Sequence, residues 1–292
     1  MRINAILWST WSLVVWCPAF VSAETDLEQL AQAPPGEKIS YGERPLQFGE
    51  LSMPEGAGPH PVIINIHGGC WLAEYDIAHS RALAQALAKE GFAVWNIEYR
   101  RVGDKGGGWP GTFLDVAVGA DHLRTLAKDR PLDLTRVIAM GHSAGGHLAL
   151  WLAARHKLAE GSELFAKDPI RVIGVVGLAP APMLDALHEK AVCGGVIDKL
   201  MGGGSEAQSA RYAAAMPSRL APIGVRQTMV IGEDDKAWRW VGESYVEKAR
   251  AAGDGKIEVV LVPGAGHFEV IDPGAEAWKV VVGEVRKAAG GK

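Results

Sequence analysis

Apolar and polar positions alternate along this chain in two distinct rhythms. Val62-Ile63-Ile64-Asn65-Ile66 is a near-continuous apolar run rich in β-branched residues, the composition of a strand buried on both faces. The same signature returns at residues 92–97, 137–140, 172–178, 228–231 and 257–262. Segments of helical period separate or follow these runs: residues 81–89 ending at Gly91, 113–128, 146–155, 241–252 ending at Gly253, and 276–288. A glycine just past a periodic run is a helix stop signal. Strands alternating with helices of this length predict an α/β fold, with βαβ units and a mostly parallel sheet covered by helices on both faces.

Two departures refine that picture. Residues 46–53 alternate apolar and polar positions, as a half-exposed antiparallel strand does, so the sheet is expected to be mixed. Residues 146–155 are apolar nearly all round, which predicts a helix buried in the middle of its layer and a central strand feeding it. The alternation then lapses over residues 179–223, where Gly194-Gly195 and Gly202-Gly203-Gly204 interrupt short helical pieces. So long a connection inside a compact domain is usually functional, and it is expected to cap the site. Residues 24–38, with Ala33-Pro34-Pro35-Gly36, are expected to form a loose leader over the surface.

The first 23 residues stand apart from this core. Arg2 precedes an apolar stretch carrying Trp8, Trp11 and Trp16, and Val21-Ser22-Ala23 offers small residues at the positions a signal peptidase reads. The expectation is a secretory signal cleaved after Ala23, because the apolar run falls short of the ~20 residues of a spanning helix. Export leaves Cys70 and Cys193, which could pair; nothing in their spacing shows that they meet. The remaining 24–292 reads as a single domain. A net charge of −4, with no basic run, excludes nucleic acid and anionic membrane as main partners.

Candidate chemistry gathers at strand ends. Gly141-His142-Ser143-Ala144-Gly145 lies between a strand-like and a helix-like run, the context of a nucleophile elbow, so Ser143 is the candidate nucleophile. A serine hydroxyl needs a base, and the base an orienting acid. Gly232-Glu233-Asp234-Asp235 follows one strand and Pro263-Gly264-Ala265-Gly266-His267 follows the last. His267 is therefore the candidate base and Asp235 the candidate acid, with Asp234 as alternative. Backbone N–H groups of Ala144 and of the loop Gly68-Gly69-Cys70 are candidate oxyanion donors. Trp71, Trp109 and Trp238 are candidate aromatic walls of a substrate site. His142 and His147 are expected to be local hydrogen-bonding or packing residues. No metal-binding or nucleotide-binding spacing occurs, so neither metal nor cofactor is inferred.

Gly-His-Ser-Ala-Gly-Gly-His-Leu, together with His-Gly-Gly-Cys-Trp, resembles the α/β-hydrolase superfamily of carboxylesterase type. Within it the chain is similar to the group with HGGxW oxyanion loops, which includes kynurenine formamidases and small secreted esterases; the tail from Gly266 to Pro273 resembles theirs too. The resemblance spans roughly residues 39–289. It implies a Ser143–His267–Asp235 triad and hydrolysis of small-molecule esters, with arylformamides as the second substrate class. A non-catalytic binding scaffold is the alternative of another kind. Cysteine stands at the fourth position of HGGC where many relatives have glycine, which implies a narrower acyl pocket.

Overall fold

The computed structural model describes residues 25–290. The sequence-predicted signal, residues 1–23, lies outside the described residues. Eight strands form one sheet: β1 (Glu37–Ser40), β2 (Phe48–Ser52), β3 (His60–Ile66), β4 (Ala93–Ile97), β5 (Leu132–His142), β6 (Gly174–Leu178), β7 (Arg226–Gly232) and β8 (Ile257–Val262). Their spatial order is β1-β2-β4-β3-β5-β6-β7-β8. β1 and β2 pair antiparallel, β2 pairs antiparallel with β4, and every later pairing is parallel. The mixed sheet expected from the alternating stretch before β3 is thus the one that forms.

The continuous apolar runs are explained by where their side chains go. Successive side chains on a strand point to opposite faces. Val62, Ile64 and Ile66 of β3, with Val137 and Ala139 of β5, join the apolar layer that includes helices Gly111–Asp121, Ala144–Ala154 and Lys236–Ala251. Ile63, Ile138 and Met140 point the other way, into the layer with helices Arg81–Lys89 and Ala277–Ala288. Both faces are covered, so no polar alternation survives in these strands. Helix Ala144–Ala154 is buried along its whole length, and β5, which leads into it, has strands on both sides.

The leader is not loose. Asp26 caps a short helix, Leu27–Ala31, by accepting the Glu28 and Gln29 N–H groups. Leu30 anchors that helix in the apolar layer beside Leu83 and Ile271. A capped turn, one buried leucine and the hydrogen bonds of Thr25 to Glu269 and Asp272 dock a segment whose composition looked like linker. Residues 179–223 hold helices Leu184–Glu189, Val192–Met201, Ser209–Ala215 and Pro217–Leu220. They lie against helix Ala144–Ala154, where His147 Nε2–H donates to the Ala215 carbonyl (2.9 Å) and Trp151 Nε1–H to that of Ala214 (2.9 Å).

Candidate active site

Ser143 sits between β5 and its helix with φ 52° and ψ −116°, a left-handed conformation that non-glycine residues adopt only when their surroundings impose it. The surroundings do. A Cβ at Gly145 would lie 2.0 Å from the Ile66 carbonyl oxygen, and one at Gly141 2.4 Å from that of Gly145. Ser143 is held through both backbone groups: its N–H donates to Leu178 O (2.9 Å), and its carbonyl accepts from His147 and Ala181. The sharp turn leaves the hydroxyl facing a cavity of about 210 Å³ lined by Leu27, Gly69, Cys70, Tyr75, His79, His142, Trp238, His267 and Phe268 together with Ser143.

His267 and Asp235 are joined. His267 Nδ1 lies 2.6 Å from Asp235 Oδ2, and the other carboxylate oxygen accepts the Trp238 N–H at 3.3 Å, capping helix Lys236–Ala251. One carboxylate therefore fixes both the imidazole and the start of that helix. Asp234 is exposed, so the choice between adjacent acids falls to Asp235 on geometry. Gly232 makes the approach possible, since a Cβ there would meet Ala265 O at 2.2 Å and Gly266 O at 2.3 Å. The Trp238 ring stacks on the imidazole with centroids 5.0 Å apart and planes 19° apart. Among the described residues the Ser143 hydroxyl has no hydrogen-bond partner; it and His267 border the same cavity.

The loop after β3 supplies the opposite wall. Gly69 has φ 101° and Cys70 φ 53°, and among the described residues neither N–H has a hydrogen-bond partner. Gly68 is packed so closely that a Cβ would touch His142 and the Ser143 Cβ. His67 braces the loop from below. It is buried, with Nδ1 2.9 Å from Gly68 O and Nε2 2.9 Å from Glu98 Oε1. Burial alone would raise the Glu98 carboxyl, but the facing His67 and Arg101 and the Tyr99 N–H outweigh it and hold the group below its ordinary value. Cys70 is bonded to Cys193, with Cα atoms 5.9 Å apart, which settles a pairing that the spacing left open. The bond ties the loop to helix Val192–Met201, at a point where Cys193, Gly194 and Gly195 all have positive φ.

Three expectations need correction. Trp71 is 1 % exposed and packs edge-on against His147, centroids 5.5 Å apart, inside the core rather than in the cavity. Trp109 is also elsewhere: its Nε1–H donates to Glu163 and Arg211 lies over its ring. Only Trp238 of the three tryptophans lines the cavity. Residues 179–223 contribute no lining residue either; their long connection packs on the helix side and meets the site through the Ala181 N–H, which donates to Ser143 O, and through Cys193. His142 does more than pack locally, for its Nε2–H donates to the His267 carbonyl (2.9 Å) and its ring lies 4.5 Å from that of His267. Burial, and then the neighbouring His267, push His142 well below its ordinary pKa, so it stays neutral and keeps that donor. Burial likewise pushes His147 down to about 4.

Leu27, Tyr75, His79 and Phe268 complete the cavity unannounced. Phe268 had a signal, as the neighbour of a strand-end histidine; His79 and Tyr75 lie beyond the glycine loop after β3, where strand-end side chains converge. Leu27 had none. Burial and then the nearby His67 lower His79 to about 4, so its imidazole is neutral. Among the described residues no cluster of three or more His, Cys, Asp or Glu is placed to hold a metal ion, and no helix is long and apolar enough to cross a membrane.

Comparisons with known proteins bear on the fold and the family. The BD-FAE family model matches residues 50–224, a span that includes the glycine loop and Ser143 but ends before Asp235 and His267. Esterase LipC of Mycobacterium tuberculosis is 26% identical over 280 residues, covering 86% of this chain and 65% of its own; the chain thus spans less than two thirds of that relative. Among solved structures, esterase B of Lactobacillus rhamnosis superposes with TM-score 0.77 at 22% identity, covering 90% of each chain. A carbohydrate esterase from gut microbiota superposes with TM-score 0.72 at 19% identity, covering 87% of this chain and 95% of its own. The fold is that of the α/β-hydrolases, and the chain belongs to the BD-FAE family.

Proposed function

We propose that this protein is an exported serine hydrolase that cleaves short-chain carboxylic esters of small molecules. The observation that carries the proposal is the 2.6 Å contact between His267 Nδ1 and Asp235, made at the rim of the cavity onto which Ser143 faces. With Nδ1–H held by Asp235, Nε2 is the free nitrogen and takes the Ser143 proton as the hydroxyl attacks the ester carbonyl. The oxyanion forms against the N–H groups of Ala144 and of Gly69 or Cys70. Collapse expels the alcohol, which leaves with the proton from His267, and water then releases the acid by the same steps in reverse roles. Catalytic hydrogen bonds of this kind often tighten only once substrate is bound.

The small cavity supports the short-chain reading, since it lies below the roughly 300 Å³ at which pockets for drug-sized ligands begin. Export is supported by the signal-like residues 1–23 and by the Cys70–Cys193 bond, a pairing that belongs to oxidising compartments. Esterase relatives support ester over formamide chemistry. Purified wild type and Ser143→Ala, assayed side by side on p-nitrophenyl acetate and N-formylkynurenine, decide the matter. Turnover of the ester by wild type alone is expected. Absence of any turnover by folded wild type would sink the proposal, and activity surviving in Ser143→Ala would reject the nucleophile.

A further inference from the structure

Thr25 is buried, with its N–H 3.4 Å from Glu269 Oε1 and its hydroxyl donating to Asp272 Oδ2 at 3.3 Å. The second oxygen of Glu269 accepts the Gly266 N–H at 2.8 Å, one residue before His267. One carboxylate thus clips the N-terminal segment to the loop that carries the imidazole. Helix Leu27–Ala31 then packs on the turn Ile77–Ser80, which holds His79 of the cavity wall. Leu30 is buried in the apolar layer, whereas Leu27 is half-buried and borders the cavity itself.

We infer that residues 25–31 form a wall of the ester pocket and that Leu27 is the specificity-determining residue that limits the chain length of the substrate. This rests on the esterase reading above. A leucine side chain is apolar and carries no group for the chemistry, so its effect is on volume alone. The cavity is small, and of its apolar lining residues Leu27 comes from the segment that, among the described residues, is tied down by two hydrogen bonds from Thr25 and one buried leucine. Leucine to alanine removes three carbons, room for two or three further methylenes of substrate. Each methylene newly taken out of water raises kcat/KM roughly fourfold.

The test measures kcat/KM for two series, p-nitrophenyl esters from acetate to octanoate and alkyl acetates from methyl to octyl, on wild type and variants of the full chain. Leu27→Ala is expected to raise the ratio of the longer ester to the shortest by about 15-fold or more in one of the series, which names the side of the pocket that Leu27 bounds. Leu27→Trp should lower that ratio below the wild-type value. Leu30→Ala, which loosens the wall without touching the cavity, should move it in the same direction as Leu27→Ala. Circular dichroism melts check that each variant is folded; Leu27 is only half-buried, and the tryptophan variant supplies a second reading in the opposite direction. Wild-type turnover with ratios unchanged in both series for Leu27→Ala and Leu27→Trp overturns the wall alone. No turnover by wild type removes the esterase reading, and the wall falls with it.

Discussion

Breaking the Cys70–Cys193 bond should cost the fold a measurable part of its stability without unfolding it. The bond closes a loop of 123 residues, and the chain-entropy relation for such a loop gives roughly 5 kcal/mol at 25 °C, against about 2–5 kcal/mol for removal of native disulfides in general. An unfolding entropy of about 2.1 cal/mol/K per residue over the 266 residues from 25 to 290 amounts to about 0.56 kcal/mol/K. The expected fall in Tm is therefore about 4–9 °C. Scanning calorimetry of wild type with and without a phosphine reductant, beside the double variant Cys70→Ser/Cys193→Ser, measures it. The reduced wild type and the double variant should melt together, below the oxidised protein, and the double variant should ignore the reductant. Oxidised and reduced wild type melting within about one degree would refute the reasoning, because the bond would then constrain no unfolded loop.

Three further outcomes follow from the same geometry. Asp235→Asn should lower kcat on p-nitrophenyl acetate by about 10⁴-fold, the scale of a wrong-tautomer triad, while the exposed Asp234→Asn stays near wild type; equal losses would reject Asp235 as the orienting acid. Gly232→Ala should push the loop carrying His267 away, because its Cβ would lie 2.2 Å from Ala265 O, and an ångström of misplacement costs roughly 10²-fold in rate; unchanged kcat would show that the loop yields freely. The protein should also lose stability in acid. His79 and His147 fall to about 4 in the fold, and His142 lies well below its ordinary value, so the unfolded chain takes up protons first and stability drains as pH falls from about 6.5 toward 4. For His79 and His147 the loss is on the order of 2 kcal/mol per ring between pH 7 and pH 5, and His147→Gln should flatten a plot of stability from urea titrations against pH by about one ring's share.

Periodicity disclosed the sheet because burial on both faces leaves a plain mark, a β-branched run such as Val62 to Ile66 with no polar alternation. It pointed to Ser143, Asp235 and His267 as candidates because each stands just past a strand, where a parallel sheet gathers its loops. What it could not disclose depends on contacts between distant segments. Nothing in the composition of Trp71 separates a core residue from a pocket wall; the positive φ of Cys70 and Trp71 turns that ring inward against His147. The insertion at 179–223 has the length of a lid but the packing of a buttress, because His147 and Trp151 draw its carbonyls to the helix side. The N-terminal segment reads as linker until Leu30 finds the layer that Leu83 and Ile271 build.

The cavity takes residues from before the first strand and after the last, Leu27 on one side and His267 and Phe268 on the other. A nascent polypeptide released only as far as β7 carries the elbow and the glycine loop, yet lacks Trp238, His267 and Phe268. On the proposed chemistry, the proton acceptor of Ser143 joins the site only when the loop after the last strand has docked.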